Sequence, residues 1–213
     1  MISAMINTLP EQQHHEEIAL SVAERGWSVT PDFVSPSLVA ELRQETLALW
    51  QEGAFRHAGV GRGPDLRVRP EVRTDRVCWI DTKDCSPAQA AYLDRLEGLR
   101  RTINQTLLLG LFDFEAHLAL YPAGSYYRRH LDQFRGVELR TLSAVLYLNQ
   151  DWTEADGGQL RIFLDPDDDS RFEEILPLGG QLVTFLSARF LHEVLPARRE
   201  RVSVTGWFKR RRP

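Results

Sequence analysis

Cysteine is scarce: Cys78 and Cys85 are the only two in 213 residues. Two cysteines make neither a disulfide framework nor a zinc-finger spacing, so a reducing, cytoplasmic setting is expected. Long apolar runs are missing as well. Nothing approaches the roughly 18 apolar residues that mark a membrane-spanning helix, so no membrane partner is expected. The opening stretch MISAMINTLPEQQHHEE carries neither the positive nor the apolar region of a signal peptide. A basic excess is also lacking, since the formal net charge is −4. That balance argues against a general nucleic-acid binder, and no basic–aromatic stripe offsets it. The segment from Arg62 to Arg73 and the tail from Lys209 to Arg212 are locally basic. A solvated tail is the simpler account of the second. There is no internal repeat.

What is present is an ordinary soluble composition, 43% hydrophobic and 26% charged, in a chain long enough for one full core. A single domain over residues 1–213 is therefore expected, with the oligomeric state read as monomer. Residues 1–110 read as mostly helical support. Glu11 to Arg25 carries Ile18, Ala19 and Val22 at helical spacing, with Gly26 as the stop. His14 and His15 lie there beside Glu16 and Glu17 and read as a solvated helix face. Ser35-Pro36 starts a second helix through Leu38, Leu42, Leu49 and Trp50 to Gly53. Ser86-Pro87 starts a third, with a stripe of Leu93, Leu96, Leu99, Ile103 and Leu107. Between these two helices, Gly59 to Arg73 is rich in glycine and arginine and reads as a mobile loop. It leads into a short strand at Arg76 to Ile80.

Residues 111–210 change to short strands, at Glu115–Tyr121, Tyr126–His130, Arg140–Asn149, Gln159–Phe163, Gln181–Phe185, His192–Leu195 and Arg201–Arg210. Gly157-Gly158, Pro166-Asp167 and Gly179-Gly180 punctuate them as turns, and Asp165–Asp169 reads as a solvated acidic loop. This pattern predicts a mainly β, α+β fold: a jelly roll with the N-terminal helices packed on one outer face.

One stretch carries chemistry, Tyr126-Tyr127-Arg128-Arg129-His130-Leu131-Asp132. Residues two apart on a strand share a face, so His130 and Asp132 can bind one metal without rearranging the backbone. An isolated H-x-D arises often by chance. His192 would complete a 2-His-1-carboxylate triad, which holds Fe(II) and leaves positions open for a co-substrate and dioxygen. Arg201 begins the apolar strand Val202-Ser203-Val204-Thr205 and is read as facing inward. There its guanidinium fork suits a dicarboxylate.

These residues lie in segments that resemble the iron(II)- and 2-oxoglutarate-dependent dioxygenases. More narrowly, they resemble the prolyl 4-hydroxylases of the oxygen-sensing type and their bacterial relatives. The segments are His130-Leu131-Asp132, His192-Glu193-Val194 and Arg201 to Trp207. Further matches are Ala119 to Pro122, Leu146 to Trp152, Gly157 to Phe163 and Arg73 to Ile80. Together they span roughly residues 30–210. The resemblance implies a double-stranded β-helix with His130, Asp132 and His192 as iron ligands. Arg201 and the Tyr147 hydroxyl would hold the distal carboxylate of 2-oxoglutarate. Tyr121, Thr205, Leu160 and Trp207 would line that pocket. The substrate side would use Arg140, Trp79 and Tyr127, with the 59–75 segment closing over a target proline and Arg73 and Asp75 pairing to hold it. The implied reaction consumes 2-oxoglutarate and dioxygen and gives succinate, carbon dioxide and 4-hydroxyproline in a protein. Ascorbate is the implied reductant. Because the related halogenases lack the carboxylate, Asp132 implies hydroxylation. The substrate class of bacterial relatives includes elongation factor Tu, and a similar partner is expected here. The 59–73 segment shares little sequence with the animal enzymes, and Tyr121 to His130 is slightly shorter.

Two other readings remain open. The same triad serves hydroxylases of free amino acids or small metabolites. A jelly-roll binding module without turnover would keep the fold alone.

Overall fold

The computed structural model describes residues 8–61, 67–133 and 139–211. Capping chemistry starts its helices where the sequence places it. Helix α1 (Thr8–Arg25) begins earlier than Glu11 and stops at Gly26, whose φ of +90° favours glycine. In α2 (Pro36–Gln51) the Ser35 hydroxyl accepts from the Leu38 amide at 3.3 Å, and proline occupies the first turn. Ser86 does the same for α3 (Pro87–Leu107), accepting from the Gln89 amide at 3.1 Å. The buried face of α3 uses Tyr92, Leu96, Leu99 and Ile103, while Leu93 and Leu107 are only half-buried. No described helix is long and apolar enough to cross a membrane.

The strands, in chain order, are β1 (Trp27–Thr30), β2 (Arg56–His57), β3 (Gly59–Val60), β4 (Arg67–Val68), β5 (Arg76–Trp79), β6 (Leu111–Tyr121) and β7 (Tyr127–His130). They continue with β8 (Arg140–Tyr147), β9 (Leu160–Phe163), β10 (Phe172–Ile175), β11 (Leu182–Leu186), β12 (His192–Val194) and β13 (Arg201–Arg210). A larger sheet has the order β1-β11-β8-β13-β6-β5-β2, a smaller one β10-β9-β12-β7, and their strand pairs are antiparallel. The two form the expected jelly roll.

Strand alternation divides the core into two layers. Leu118, Leu120, Leu142, Leu146, Val202 and Val204 pack under helix residues such as Ile18, Leu42, Leu96 and Leu99. Their neighbours Ala119, Tyr121, Val145 and Tyr147 face the smaller sheet, against Leu160, Ile162 and Val194. The helices therefore lie on one face of the larger sheet, as expected, and the space between the sheets is left for the site.

Three expectations need correction. His15 is not on a solvated face. It is 2% exposed and packs near Phe33, with ring centroids 6.0 Å apart, and a Cβ on Gly98 would lie 2.7 Å from its Cε1. Glycine at that position of α3 makes room for the imidazole as the two helices meet. His14 is half-buried beside the same phenylalanine. Strands β1 and β10 lie outside the expected set, because each is four residues long and gains its identity from a partner, β11 and β9. The segment read as a mobile loop, 59–73, contains β3 paired with β4 as a hairpin. Residues 62–66 between them lie outside the described residues. The acidic turn is as expected, largely exposed, with Asp165 paired to Arg171 and Asp169 to Arg129.

Candidate active site

Strand pairing brings the distant ligands together. His192 on β12 is the register partner of His130 on β7, so two histidines far apart in sequence become cross-strand neighbours. Their ring centroids are 4.2 Å apart. Asp132, just past the end of β7, places Oδ1 3.5 Å from His130 Nε2 and Oδ2 3.6 Å from His192 Nε2. One donor atom from each of the three lies within 4.8 Å of the others, close enough to share one ion.

The other ring nitrogens are already engaged. His130 Nδ1 is 2.8 Å from the Arg128 carbonyl and His192 Nδ1 is 3.1 Å from the Phe190 carbonyl. With Nδ1–H donating to a carbonyl, each ring presents a bare Nε2 to the centre. Burial pushes His192 down to about 4, and His130 beside it adds to the shift against Asp132. Burial also works against the charged Asp132 carboxylate. His192, His130 and the Ser143 hydroxyl outweigh it and hold the group well below the usual range. A neutral His192 and an ionised carboxylate are the protonation states that metal binding requires.

The larger sheet supplies the opposite wall of a cavity of about 760 Å3. Arg201 is 1% exposed and donates from Nε to the Gly158 carbonyl at 3.0 Å. Its guanidinium carbon lies 4.9 Å from the Tyr121 ring and 5.0 Å from the Tyr147 ring. Gly158 has φ +71°, and a Cβ there would come within 3.2 Å of Arg201 Cδ, so glycine permits this close approach. Tyr121, Thr205, Leu160, Trp207 and Arg201 all line the cavity. Tyr147 stands behind them, fully buried, and burial pushes its phenol up to about 12 with Arg201 opposing.

On the substrate side, Arg73 and Asp75 form the expected pair, with bonds of 2.8 Å and 2.6 Å. Asp75 is 1% exposed and lies behind the cavity wall, while Arg73 lines it. The Arg73 guanidinium sits 4.0 Å from the Tyr127 ring, which stacks on His130 at 3.5 Å and 14°. Two groups this close to one ring need separate faces, so Tyr127 is sandwiched between the arginine and a metal ligand. Trp79 is 56% exposed at the cavity mouth. Arg140 also lines the cavity. It lies 3.4 Å from the Trp207 ring centroid and is paired with Glu115 at 2.9 Å.

Sequence reasoning missed two residues here. Ser143 is fully buried and donates to Asp132 Oδ2 at 2.7 Å. His117 lines the cavity at 4% exposure, and burial pushes it down to about 4, with Arg73 acting the same way. Neither stands in a spacing that betrays its partner.

The residues fit an iron centre with an oxygen-rich anion beside it. Among the described residues, the buried atoms without a hydrogen-bond partner include Tyr147 Oη, His117 Nδ1, Ser203 Oγ and Trp207 Nε1. All four belong to strands β6, β8 and β13, on the face that carries Arg201. Two histidines and a carboxylate are the donor set of non-haem Fe(II).

Comparison with known proteins agrees. A profile described as the 2OG-Fe(II) oxygenase superfamily matches residues 116–209. A Pseudomonas putida prolyl-4-hydroxylase crystal structure superposes with a TM-score of 0.84 and 44% identity, covering 93% of this chain and 100% of that one. The chain belongs to the 2OG-Fe(II) oxygenase family. A Trichoplax adhaerens prolyl hydroxylase, solved with a peptide fragment of hypoxia inducible factor, gives a TM-score of 0.82 at 26% identity over 94% of this chain and 90% of that one. Human Egl nine homolog 1 is 31% identical over 91% of this chain. The chain spans 46% of that human protein's length. As an oxygenase of this family, the chain has Fe(II), 2-oxoglutarate and dioxygen as its cofactor and co-substrates, and the His130–Asp132–His192 cluster is the iron site.

Proposed function

We propose that this oxygenase is a peptidyl-prolyl 4-hydroxylase acting on a proline within a protein segment. The likeness to the Pseudomonas putida prolyl-4-hydroxylase over that chain's whole length carries this reading. It is supported by an exposed Trp79 and the Arg73–Tyr127 stack at the mouth of the metal cavity. An open mouth of this kind suits a chain segment better than a sealed pocket would.

In this reading His130, Asp132 and His192 hold the metal, and Ser143 orients the carboxylate. Arg201 takes the distal carboxylate of 2-oxoglutarate in a two-pronged pair, with Tyr147 as second donor. Tyr121, Thr205, Leu160 and Trp207 shape the pocket around the co-substrate's chain and keep water from it. Iron(II), when bound, couples oxidative decarboxylation of 2-oxoglutarate by dioxygen to hydroxylation of the substrate, with release of succinate and carbon dioxide. Arg73, Tyr127, Trp79 and Arg140 position the prolyl segment, and Asp75 fixes Arg73. We extend the proposal to a cytoplasmic monomer with a target like elongation factor Tu, and with ascorbate as reductant.

The test is succinate formation by the Fe(II)-loaded protein under air, with and without prolyl peptides. Turnover should rise with peptide, add 16 Da (one oxygen atom) to it, and vanish in His130→Ala and Arg201→Ala. Turnover that no prolyl peptide or protein stimulates would overturn the prolyl reading and leave an oxygenase of small molecules.

A further inference from the structure

His117 is a histidine that the metal site does not use. Its ring lies edge-on to Trp79 at a centroid distance of 5.1 Å and 5.5 Å from Trp207. Its Nδ1 is buried without a hydrogen-bond partner among the described residues. A buried orphan nitrogen lowers stability, so an apolar side chain would serve a purely structural role better. The ring itself lines the cavity, so an oxygen held there can give the imidazole a partner.

Register places that partner. Across the larger sheet, Trp79, His117, Thr205 and Val145 are consecutive cross-strand neighbours and form one row. At one end of the cavity, the Arg201–Tyr121 pair forms a separate row. Toward the other end, Trp207 pairs with Ser143, which holds Asp132. A co-substrate reaching from the Arg201 guanidinium to the metal ligands must pass the His117 row. Arg73 and Arg140 line the same cavity, each paired with a carboxylate, Asp75 and Glu115.

We propose that His117 binds the co-substrate, donating a hydrogen bond from its imidazole to an oxygen of 2-oxoglutarate lying between Arg201 and the metal ligands. The assignment rests on the oxygenase reading above. Burial keeps the ring neutral at physiological pH, so it carries one N–H donor and one bare nitrogen. The donor supplements the Arg201 pair without adding a charge that would also attract unrelated anions.

The test uses the full chain loaded with Mn(II), without peptide, and measures 2-oxoglutarate binding by titration calorimetry. His117→Phe keeps a ring against the two tryptophans and removes both nitrogens, and its Kd should rise about tenfold or more, as expected for a lost hydrogen bond to a charged group. His117→Gln restores a donor and should recover most of that loss. The Mn(II) affinity should stay within about twofold of wild type in both, which a collapsed site would not allow. If His117→Phe does not fold, His117→Leu stands in for it, and the Gln variant alone still tests the donor. A 2-oxoglutarate Kd within twofold of wild type in the Phe or Leu variant overturns the proposal. A raised KM for prolyl peptide with unchanged 2-oxoglutarate binding does so too, because the ring would then face the substrate. A wild-type protein that binds Mn(II) but no 2-oxoglutarate overturns the oxygenase reading itself, and this inference falls with it.

Discussion

The Ser143 hydroxyl lies 2.7 Å from Asp132 Oδ2 and 2.9 Å from the Ser187 hydroxyl, with both serines fully buried. One carboxylate oxygen is thus engaged by the protein before any metal arrives, and Oδ1 is left for the ion. Partners that orient a ligand in this way are worth about 10- to 100-fold in metal affinity. Ser143→Ala should therefore weaken Mn(II) binding by that range in a calorimetric titration, and Ser187→Ala should weaken it less. Equal affinity in wild type and Ser143→Ala would show that the carboxylate is oriented by its backbone alone. The contrast with the ligands shows what a sequence can reveal. His130 and Asp132 were legible as an H-x-D pair at a strand end, although Asp132 lies just past β7, where strand parity no longer fixes its face. Arg201 was legible because a cation at the head of an apolar strand has few reasons to be there. Ser143 and His117 sit inside apolar strands, where a serine or histidine gives no hint of what it will face across a cavity.

Elements were legible where local chemistry decides them. Ser35-Pro36 and Ser86-Pro87 start helices through a hydroxyl cap and a fixed φ, neither of which depends on the rest of the fold. β1 and β10 exist only through their partner strands, and no local rule announces them. His15 on α1 belongs to the same class, because its burial depends on Gly98 of α3. That burial has a measurable consequence. Burial pushes His15 down to about 4, with Arg95 and His14 adding to the shift, whereas an unfolded histidine titrates near 6.5. Between these values the unfolded chain binds a proton that the folded chain refuses. The His15 contribution is therefore fully present above about pH 6.5 and is lost as pH falls toward 4, by up to roughly 3 kcal/mol. His15→Leu should flatten this part of the stability profile in urea melts at pH 7, 5.5 and 4.5. His117 and His192 carry shifts of the same sign, so the difference between variant and wild type is the quantity to read. Parallel profiles would mean that His15 is protonated as easily folded as unfolded.

At the scale of the molecule, the segment between the hairpin and β5 ties the two sheets together at the cavity mouth. Along the smaller sheet, the Arg128 amide donates to the Val72 carbonyl at 2.8 Å and the Thr74 amide to the Tyr126 carbonyl at 3.1 Å. The Tyr126 hydroxyl reaches the Pro70 carbonyl at 2.9 Å. One residue farther on, the Asp75 carbonyl accepts from the Ala58 amide at 3.1 Å, beside β2 at the edge of the larger sheet. The Arg73–Asp75 pair lies at this crossing, its arginine stacked on Tyr127 and so on a metal ligand's neighbour. Burial opposes the charged guanidinium, and Asp75 more than offsets it. Removing one partner of such a pair leaves an uncompensated charge, so Asp75→Asn should destabilise the fold by about 3 kcal/mol. Replacing both partners with apolar residues removes that penalty, so Arg73→Leu with Asp75→Leu should recover most of the thermal stability. Function should not follow stability. The double variant lacks the cation over Tyr127, and its KM for prolyl peptide should remain about tenfold above wild type, while 2-oxoglutarate affinity changes little. A stable double variant with a wild-type peptide KM would make the pair a structural brace with no part in holding substrate. The mouth would then be positioned by the backbone bonds of residues 70–75 alone.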